Sequence, residues 1–302
     1  MRLGTIVRAA NLLVANPNQF VRKIADRLVP LPARPIGRIL NGVAFECDLS
    51  SWPGRTMARG MFFGTFSIEI VAAMKRFLKT GDVFIDVGAN IGYLSAVGMG
   101  LVGPSGEVHS FEPVPDYYSR LRKLAGANPG FRFFPQPIAL SDTQGRCTIS
   151  VASKNVGWNT LVPGFMRASD LAYQVEVQTD RLDSYIDKHN VQRVSLIKID
   201  TEGFEFPVLR GLKGYFERGE RPPIICEVAT DAYGLLGYSI SDFHEFMSSY
   251  GYRAYRITQS VKSVSSEPFD IRNARGTIDV VWTASSSRRI SRLSSVLGAI
   301  TE

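Results

Sequence analysis

The stretch "GDVFIDVGANIGYLS", Gly81 to Ser95, decides the fold. Val83, Phe84, Ile85 and Val87 are β-branched or aromatic, as a strand buried on both faces requires, and Ile91, Tyr93, Leu94 and Val97 follow at spacings that suit the inward face of a helix. Between the two runs sits a short loop carrying Asp86, Gly88, Asn90 and Gly92. The pattern predicts a strand, a tight turn and a helix.

Working outward, strand-like and helix-like segments alternate, which predicts a parallel sheet with crossover helices. "EVHSFEP" from Glu107 reads as a second strand and Pro115 to Ala127 as the helix behind it. "FRFFPQPIAL", Phe131 to Leu140, is a third extended run broken by prolines. "VSLIKID", Val194 to Asp200, is a fourth, with a helix through Phe206, Val208, Leu209 and Leu212. "PIICEV", Pro223 to Val228, is a fifth, followed by a helix from about Ser241 to Tyr250. "YRAYRI", Tyr252 to Ile257, and "TIDVVWT", Thr277 to Thr283, are joined by a loop and complete the set.

The expected fold is therefore α/β: a doubly wound, mostly parallel seven-stranded sheet, Rossmann-like, with an antiparallel last strand. "RCTISVA" from Arg146 and "YQVEVQT" from Tyr173 interrupt the alternation and read as an inserted β-hairpin. Residues 153–164 form its long connection.

The chain has 302 residues, is 45% hydrophobic and 21% charged, and carries a net charge of +7. This composition is that of an ordinary globular protein. The charge is uneven. Arg2, Arg8, Arg22, Lys23, Arg27, Arg34 and Arg38 face only Asp26 in the first 45 residues, and Arg288, Arg289 and Arg292 face only Glu302 at the other end. The centre is nearly neutral, which argues against a nucleic-acid-gripping domain. Three segments are expected: a basic, helical N-terminal segment over 1–50, a catalytic domain over 51–285 and a basic tail over 286–302. The N-terminal segment interleaves apolar residues with arginines, so either packing on the body or peripheral membrane contact is open to it.

Cys47, Cys147 and Cys226 are widely spaced, with no C-x-x-C pair and only His109, His189 and His244 beside them. A disulfide framework and a zinc site are not expected, and a reducing compartment is. Residues 1–29 lack the compact apolar block of a secretory signal, and no apolar run reaches the ~20 residues of a membrane span. A cytoplasmic location is expected.

Open parallel sheets bind ligands at the carboxyl ends of their strands. Here those ends are acidic. The first carries Asp86; the second carries Glu112, placed to accept hydrogen bonds from ribose hydroxyls; the third carries Asp142, placed to meet an adenine amino group. The fourth carries Lys198, Asp200, Glu202 and Glu205, and the fifth carries Glu227. The loop lacks the G-x-G-x-x-G of a pyrophosphate cradle, and a carboxylate beside it suits a cationic ligand such as S-adenosylmethionine.

"FIDVGANIGYLS", "FEPVPDYYSRL", "ALSD", "TDRLDSYI", "VSLIKIDTEGFEFPVLRG" and "PPIICEV" resemble the FkbM family of S-adenosylmethionine-dependent methyltransferases over roughly residues 60–285. The resemblance implies a class I methyltransferase fold and methyl transfer to oxygen, on polyketides, glycolipids or sugars. It implies that Asp86, Gly88, Asn90 and Gly92 form the methionine-side cradle, that Glu112 takes the ribose and that Asp142 takes the adenine.

Asp200 and Glu202 are the candidates for aligning the acceptor hydroxyl or taking its proton. Against this stands a reading in which Asp200 only holds the cofactor's amino-acid part and Glu202 pairs with Lys198. Trp158 and Asn159, with Asn155, are candidates for the acceptor pocket, and so is Glu227. No histidine accompanies these acids, and no metal is expected. A small-molecule or glycan acceptor is the expected partner; the oligomeric state has no signature in the sequence. The rival readings are a nucleic-acid methyltransferase, for which the N/D-P-P-Y/F block is missing, and a non-catalytic scaffold.

Overall fold

A computed structural model describes residues 36–38, 42–46, 60–61, 66–153, 157–258, 264–265 and 267–284. Residues 1–35 and 285–302, with Cys47 and Asn155, lie outside the described residues.

The elements, in chain order, begin with β1 (Ile36–Arg38), β2 (Ala44–Glu46) and α1 (Ile68–Phe77). The alternating core follows: β3 (Val83–Val87), α2 (Tyr93–Val102), β4 (Glu107–Phe111), α3 (Pro115–Ala127) and β5 (Arg132–Gln136). An insertion then supplies β6 (Ala139–Leu140), β7 (Gly145–Ala152), β8 (Leu171–Asp180) and α4 (Leu182–Lys188). The second half runs through β9 (Val194–Ile199), α5 (Glu205–Arg210), α6 (Lys213–Glu217), β10 (Ile224–Ala229), α7 (Thr230–Tyr233), α8 (Ile240–Ser249), β11 (Tyr252–Arg256) and β12 (Thr277–Ala284).

Seven strands form the main sheet in the order β11-β12-β10-β9-β3-β4-β5. β3 pairs in parallel with β4 and β9, β4 with β5, and β10 with β9, whereas β12 runs antiparallel to both β10 and β11. This is the class I methyltransferase arrangement, and the expected antiparallel last strand lies between the two before it. The winding reverses between β3 and β9, which is where a doubly wound sheet opens its ligand crevice.

β3 is buried at all five positions because the sheet is covered on both sides. Phe84, Met74, Ala96, Met99 and Leu121 pack on one face, and Ile85, Leu182, Ile197, Leu209, Phe216 and Phe243 on the other. That two-sided burial is why the strand reads as a continuous apolar run. Trp282 of β12 is fully buried and stacks on Phe243, tying α8 to the antiparallel strand.

Three expectations are corrected. The segment expected to be helical to residue 50 ends instead in an antiparallel ribbon of β1 and β2. Val43 and Phe45 sink into the core, and the Asn128 side chain bonds the backbone of Ala44 at both N–H and C=O. The run 131–140 is two strands, because Pro137, which has no N–H to donate, stands between β5 and β6. β6 leaves the main sheet and pairs in parallel with β8, so the inserted hairpin builds its own sheet, β6-β8-β7. Val114, Tyr117, Ala139, Ile149, Val151, Leu161 and Val177 pack this small sheet against the start of α3, at the carboxyl edge of the main one.

Candidate active site

The loop after β3 turns because three residues take positive φ: Gly88 at 72°, Asn90 at 51° and Gly92 at 86°. Gly88 and Ala89 both donate to the carbonyl of Phe111, which fastens the loop to the end of β4. A Cβ on Gly88 would lie 1.9 Å from the carbonyl oxygen of Asp200, so this glycine lets the β3 and β9 loops touch. A Cβ on Gly92 would lie 2.7 Å from Leu121, so Gly92 lets α2 pack closely on α3. Asn90 donates its N–H to Glu112 Oε2 at 2.8 Å, and Val114 donates to Oε1 at 2.9 Å. The buried Glu112 thus ties the first loop to the second. Removal from water pushes its carboxyl up to about 7 despite those two donors.

The loop after β9 is held by Glu205, which is fully buried and accepts from the N–H groups of Thr201 and Gly203 and from the Thr201 and Tyr233 hydroxyls. Glu202 sits in that loop at a φ of 52°, and its carbonyl accepts from Thr160 in the hairpin connection. Gly203 follows at 99°, where a Cβ would collide with Ala232 of α7. The K-I-D-x-E-G block is therefore a clamped turn that presents Asp200 and Glu202 at the strand end.

A cavity of about 570 Å³ lies over these loops. Gly88, Ala89, Asn90 and Ile91 form one wall; Phe111, Glu112, Ile138, Ala139 and Leu140 form the next; Lys198, Asp200, Thr201, Glu202 and Glu227 form the third. Trp158 and Asn159 line it from the hairpin connection, and Trp158 is 55% exposed. Of the expected site residues, the structure brings Gly88, Asn90, Glu112, Trp158, Asn159, Asp200, Glu202 and Glu227 together.

Asp86, Gly92 and Asp142 do not line the cavity. Asp86 is fully buried, accepts from Ser95 at 2.6 Å and lies 3.5 Å from Lys198 Nζ, so its charge is matched inside the protein. Gly92 serves packing. Asp142 turns to Arg210 at 3.3 Å, and the wall it was expected to supply is built instead by Ile138, Ala139 and Leu140.

The sequence reading passed over Lys198 as a site residue. Its ammonium donates to the Gly88 carbonyl at 3.0 Å and lies 3.3 Å from Asp200. Burial opposes the charge, but Asp200 and Asp86 outweigh it and raise the pKa. The pairing of Lys198 with Glu202 is not observed. The signal is legible in "VSLIKID": Lys198 is the one charged residue inside a strand that is buried at every position.

Asp200, Glu202 and Glu227 offer carboxylate oxygens within 4.8 Å of one another. Three carboxylates at this spacing form an oxygen-only donor set, the kind that hard divalent cations take. Burial and the neighbouring Asp200 push Glu202 up to about 8 and Glu227 further. Asp279 of β12, opposite Glu227 in the sheet, is pushed up to about 6 by burial.

A doubly wound sheet of this order, with a nucleoside-sized cavity at its switch point and no pyrophosphate cradle, defines a class I methyltransferase scaffold. The pattern of the Methyltransferase FkbM domain matches residues 86–254, more than half of the chain, and the protein belongs to that family. Two curated relatives are similar over part of their length. Hexuronic acid methyltransferase AglP of Haloferax volcanii is 26% identical over 144 residues, 48% of this chain and 55% of that protein. The 31-O-demethyl-FK506 methyltransferase FkbM of Streptomyces tacrolimicus is 30% identical over 160 residues, 45% of this chain and 61% of that protein. The chain thus spans less than two thirds of either relative. Among solved structures, methyltransferase FkbM from Methylobacillus flagellatus is similar at a TM-score of 0.39 and 14% identity, covering 91% of this chain and 60% of that one. Among the described residues, no helix is long and apolar enough to cross a membrane.

Proposed function

We propose that the protein is an S-adenosylmethionine-dependent methyltransferase that methylates a hydroxyl of a sugar, glycolipid or similar metabolite. The observation that carries this reading is the convergence of Asp200, Glu202 and Glu227 on one cavity beside the glycine loop. The names of the two relatives, a hexuronic acid methyltransferase and a 31-O-demethyl-FK506 methyltransferase, support a sugar-like acceptor in the first case and an oxygen acceptor in the second.

The cavity chemistry fits this cofactor. Phe111, Ile138, Ala139 and Leu140 offer an apolar wall to a base, Glu112 keeps lone pairs for ribose hydroxyls, and Glu227 Oε2 is buried without a hydrogen-bond partner at the acidic end, where a cation is favoured. When bound, S-adenosylmethionine supplies a methyl group activated on a sulfonium. The chain's own residues position and deprotonate. Lys198 fixes the Gly88 carbonyl and Asp200; Asp200 and Glu202 orient the acceptor hydroxyl, and Glu202 takes its proton. Trp158, largely exposed where it lines the cavity, offers a flat apolar face to the acceptor. The basic N-terminal residues support peripheral membrane contact on their sequence alone.

The test is incubation with isotope-labelled S-adenosylmethionine and a panel of sugars, glycolipids and macrolide alcohols, with methyl ethers read by mass spectrometry. Glu202→Gln should lower kcat about a hundredfold or more on any acceptor found. Transfer to nitrogen, or a Glu202→Gln variant of full activity, would contradict the reading.

A further inference from the structure

Glu202 and Glu227 both line the cavity, with carboxylate oxygens within 4.8 Å of each other and too little positive charge around them. Lys198 faces them from β9, Asp200 from the loop after it, Glu205 from α5 and Asp279 from β12. Lys198 is the single ammonium in this group, and it is already engaged by Asp86, Asp200 and the Gly88 carbonyl. Glu227 Oε2 has neither solvent nor a hydrogen-bond partner. Carboxyls crowded this closely cannot all ionise.

We infer that Glu202 and Glu227 hold a proton in common until a cation enters the cavity, and that the charge of the methyl donor, by displacing this proton, creates the base that the acceptor needs. This rests on the function proposed above. The direction agrees, since burial and then Asp200 push Glu202 up to about 8 and raise Glu227 as well. A unit positive charge within about 8 Å, at an effective dielectric of about 20, moves a carboxyl's titration by about a pH unit or more.

The proton balance closes over one turnover. The acceptor O–H and the donor C–S bonds break, and an O–C bond forms. The hydroxyl proton returns to the Glu202–Glu227 pair as sulfur loses its positive charge. The pair is therefore a base with the sulfonium form present and an acid with the thioether form present, so a site holding product is not primed for a second proton abstraction.

Calorimetric titration at pH 8, in buffers of differing ionisation enthalpy, counts the protons released on binding. S-adenosylmethionine should release about half a proton more per site than S-adenosylhomocysteine, which lacks the sulfonium charge. Sinefungin, with an ammonium in that place, should behave like the former. Glu202→Gln and Glu227→Gln should each shrink the difference, and Asp142→Asn should not. Equal release by the charged and uncharged ligands, or an undiminished difference in both glutamine variants, would overturn the inference while leaving the methyltransferase reading intact. Binding by none of these ligands would overturn both. If Glu227→Gln fails to fold, infrared difference spectra of the wild-type protein decide: the protonated-carboxyl band should fall with S-adenosylmethionine and persist with S-adenosylhomocysteine, and a band unchanged by both overturns the inference.

Discussion

Lys198 Nζ stands between two carboxylates of opposite fate, 3.5 Å from the fully buried Asp86 and 3.3 Å from the 41%-exposed Asp200. The first pairing neutralises a charge on β3 that has no access to water. The second holds an acid at the cavity. One buried ammonium therefore joins the stability of the sheet to the geometry of the site.

Removing that ammonium leaves Asp86 buried with only Ser95 for company. Lys198→Met should cost about 3–5 kcal/mol in urea denaturation, the usual penalty for stripping one partner from a buried pair. The double variant Asp86→Asn/Lys198→Met should recover part of the loss. If the single variant loses under 1 kcal/mol, the pairing is not what neutralises Asp86.

Gly88→Ala places a methyl group 1.9 Å from the Asp200 carbonyl at a φ of 72°. The β3 and β9 loops must part. The variant should lose most of its affinity for S-adenosylmethionine and unfold at lower denaturant, with Gly126→Ala, whose Cβ would meet nothing within 4 Å, as a harmless control. Equal behaviour of the two variants would refute the close approach.

Glu112 and Asp142 should separate cleanly. Glu112→Ala removes a cavity carboxylate and the acceptor of the Asn90 and Val114 N–H groups, and should weaken S-adenosylmethionine binding about tenfold or more. Asp142→Ala removes a partner of Arg210 and of the Ser141 hydroxyl, both outside the cavity, and should leave that affinity within about threefold. Calorimetry on both checks the assignment; a large loss in Asp142→Ala would restore it to the adenine site.

Stability should pass through a maximum in mildly acidic solution. Glu112, Glu202 and Asp279 have folded-state pKa values raised to about 7, 8 and 6, so the folded protein binds more protons than the unfolded chain across that range. Their contribution is present at low pH and is lost as pH rises from about 4.5 towards 8. His109 has the opposite sign: burial lowers its pKa, so the fold loses stability as pH falls below about 6.5. Three carboxyls outweigh one imidazole, so melting temperatures should fall as pH rises from about 5 to 8, and Glu202→Gln should flatten that fall. A melting temperature that rises steadily to pH 8.5 would contradict the cause assigned.

The central strands were legible because two-sided burial writes itself as apolar runs, as in "VFIDV" and "PIICEV", and the acids stand out where those runs end. That rule singles out Glu112, Asp200, Glu202 and Glu227, which line the cavity. It failed at Asp86, which lies within β3, where the strand ends one residue later, and whose partner Lys198 comes from a distant strand. Asp142 was misplaced because β6 departs from the main sheet to pair with β8, a choice set by packing under the hairpin and not by the local sequence. The ribbon β1–β2 was missed because three-residue strands have no periodicity to read.

The most direct measurement is equilibrium binding of S-adenosylmethionine to the purified protein, with S-adenosylhomocysteine and NAD titrated alongside. The account predicts micromolar binding of the first two, lost in Glu112→Ala, and none of NAD. Failure to bind S-adenosylmethionine, or equal binding of NAD, would contradict it.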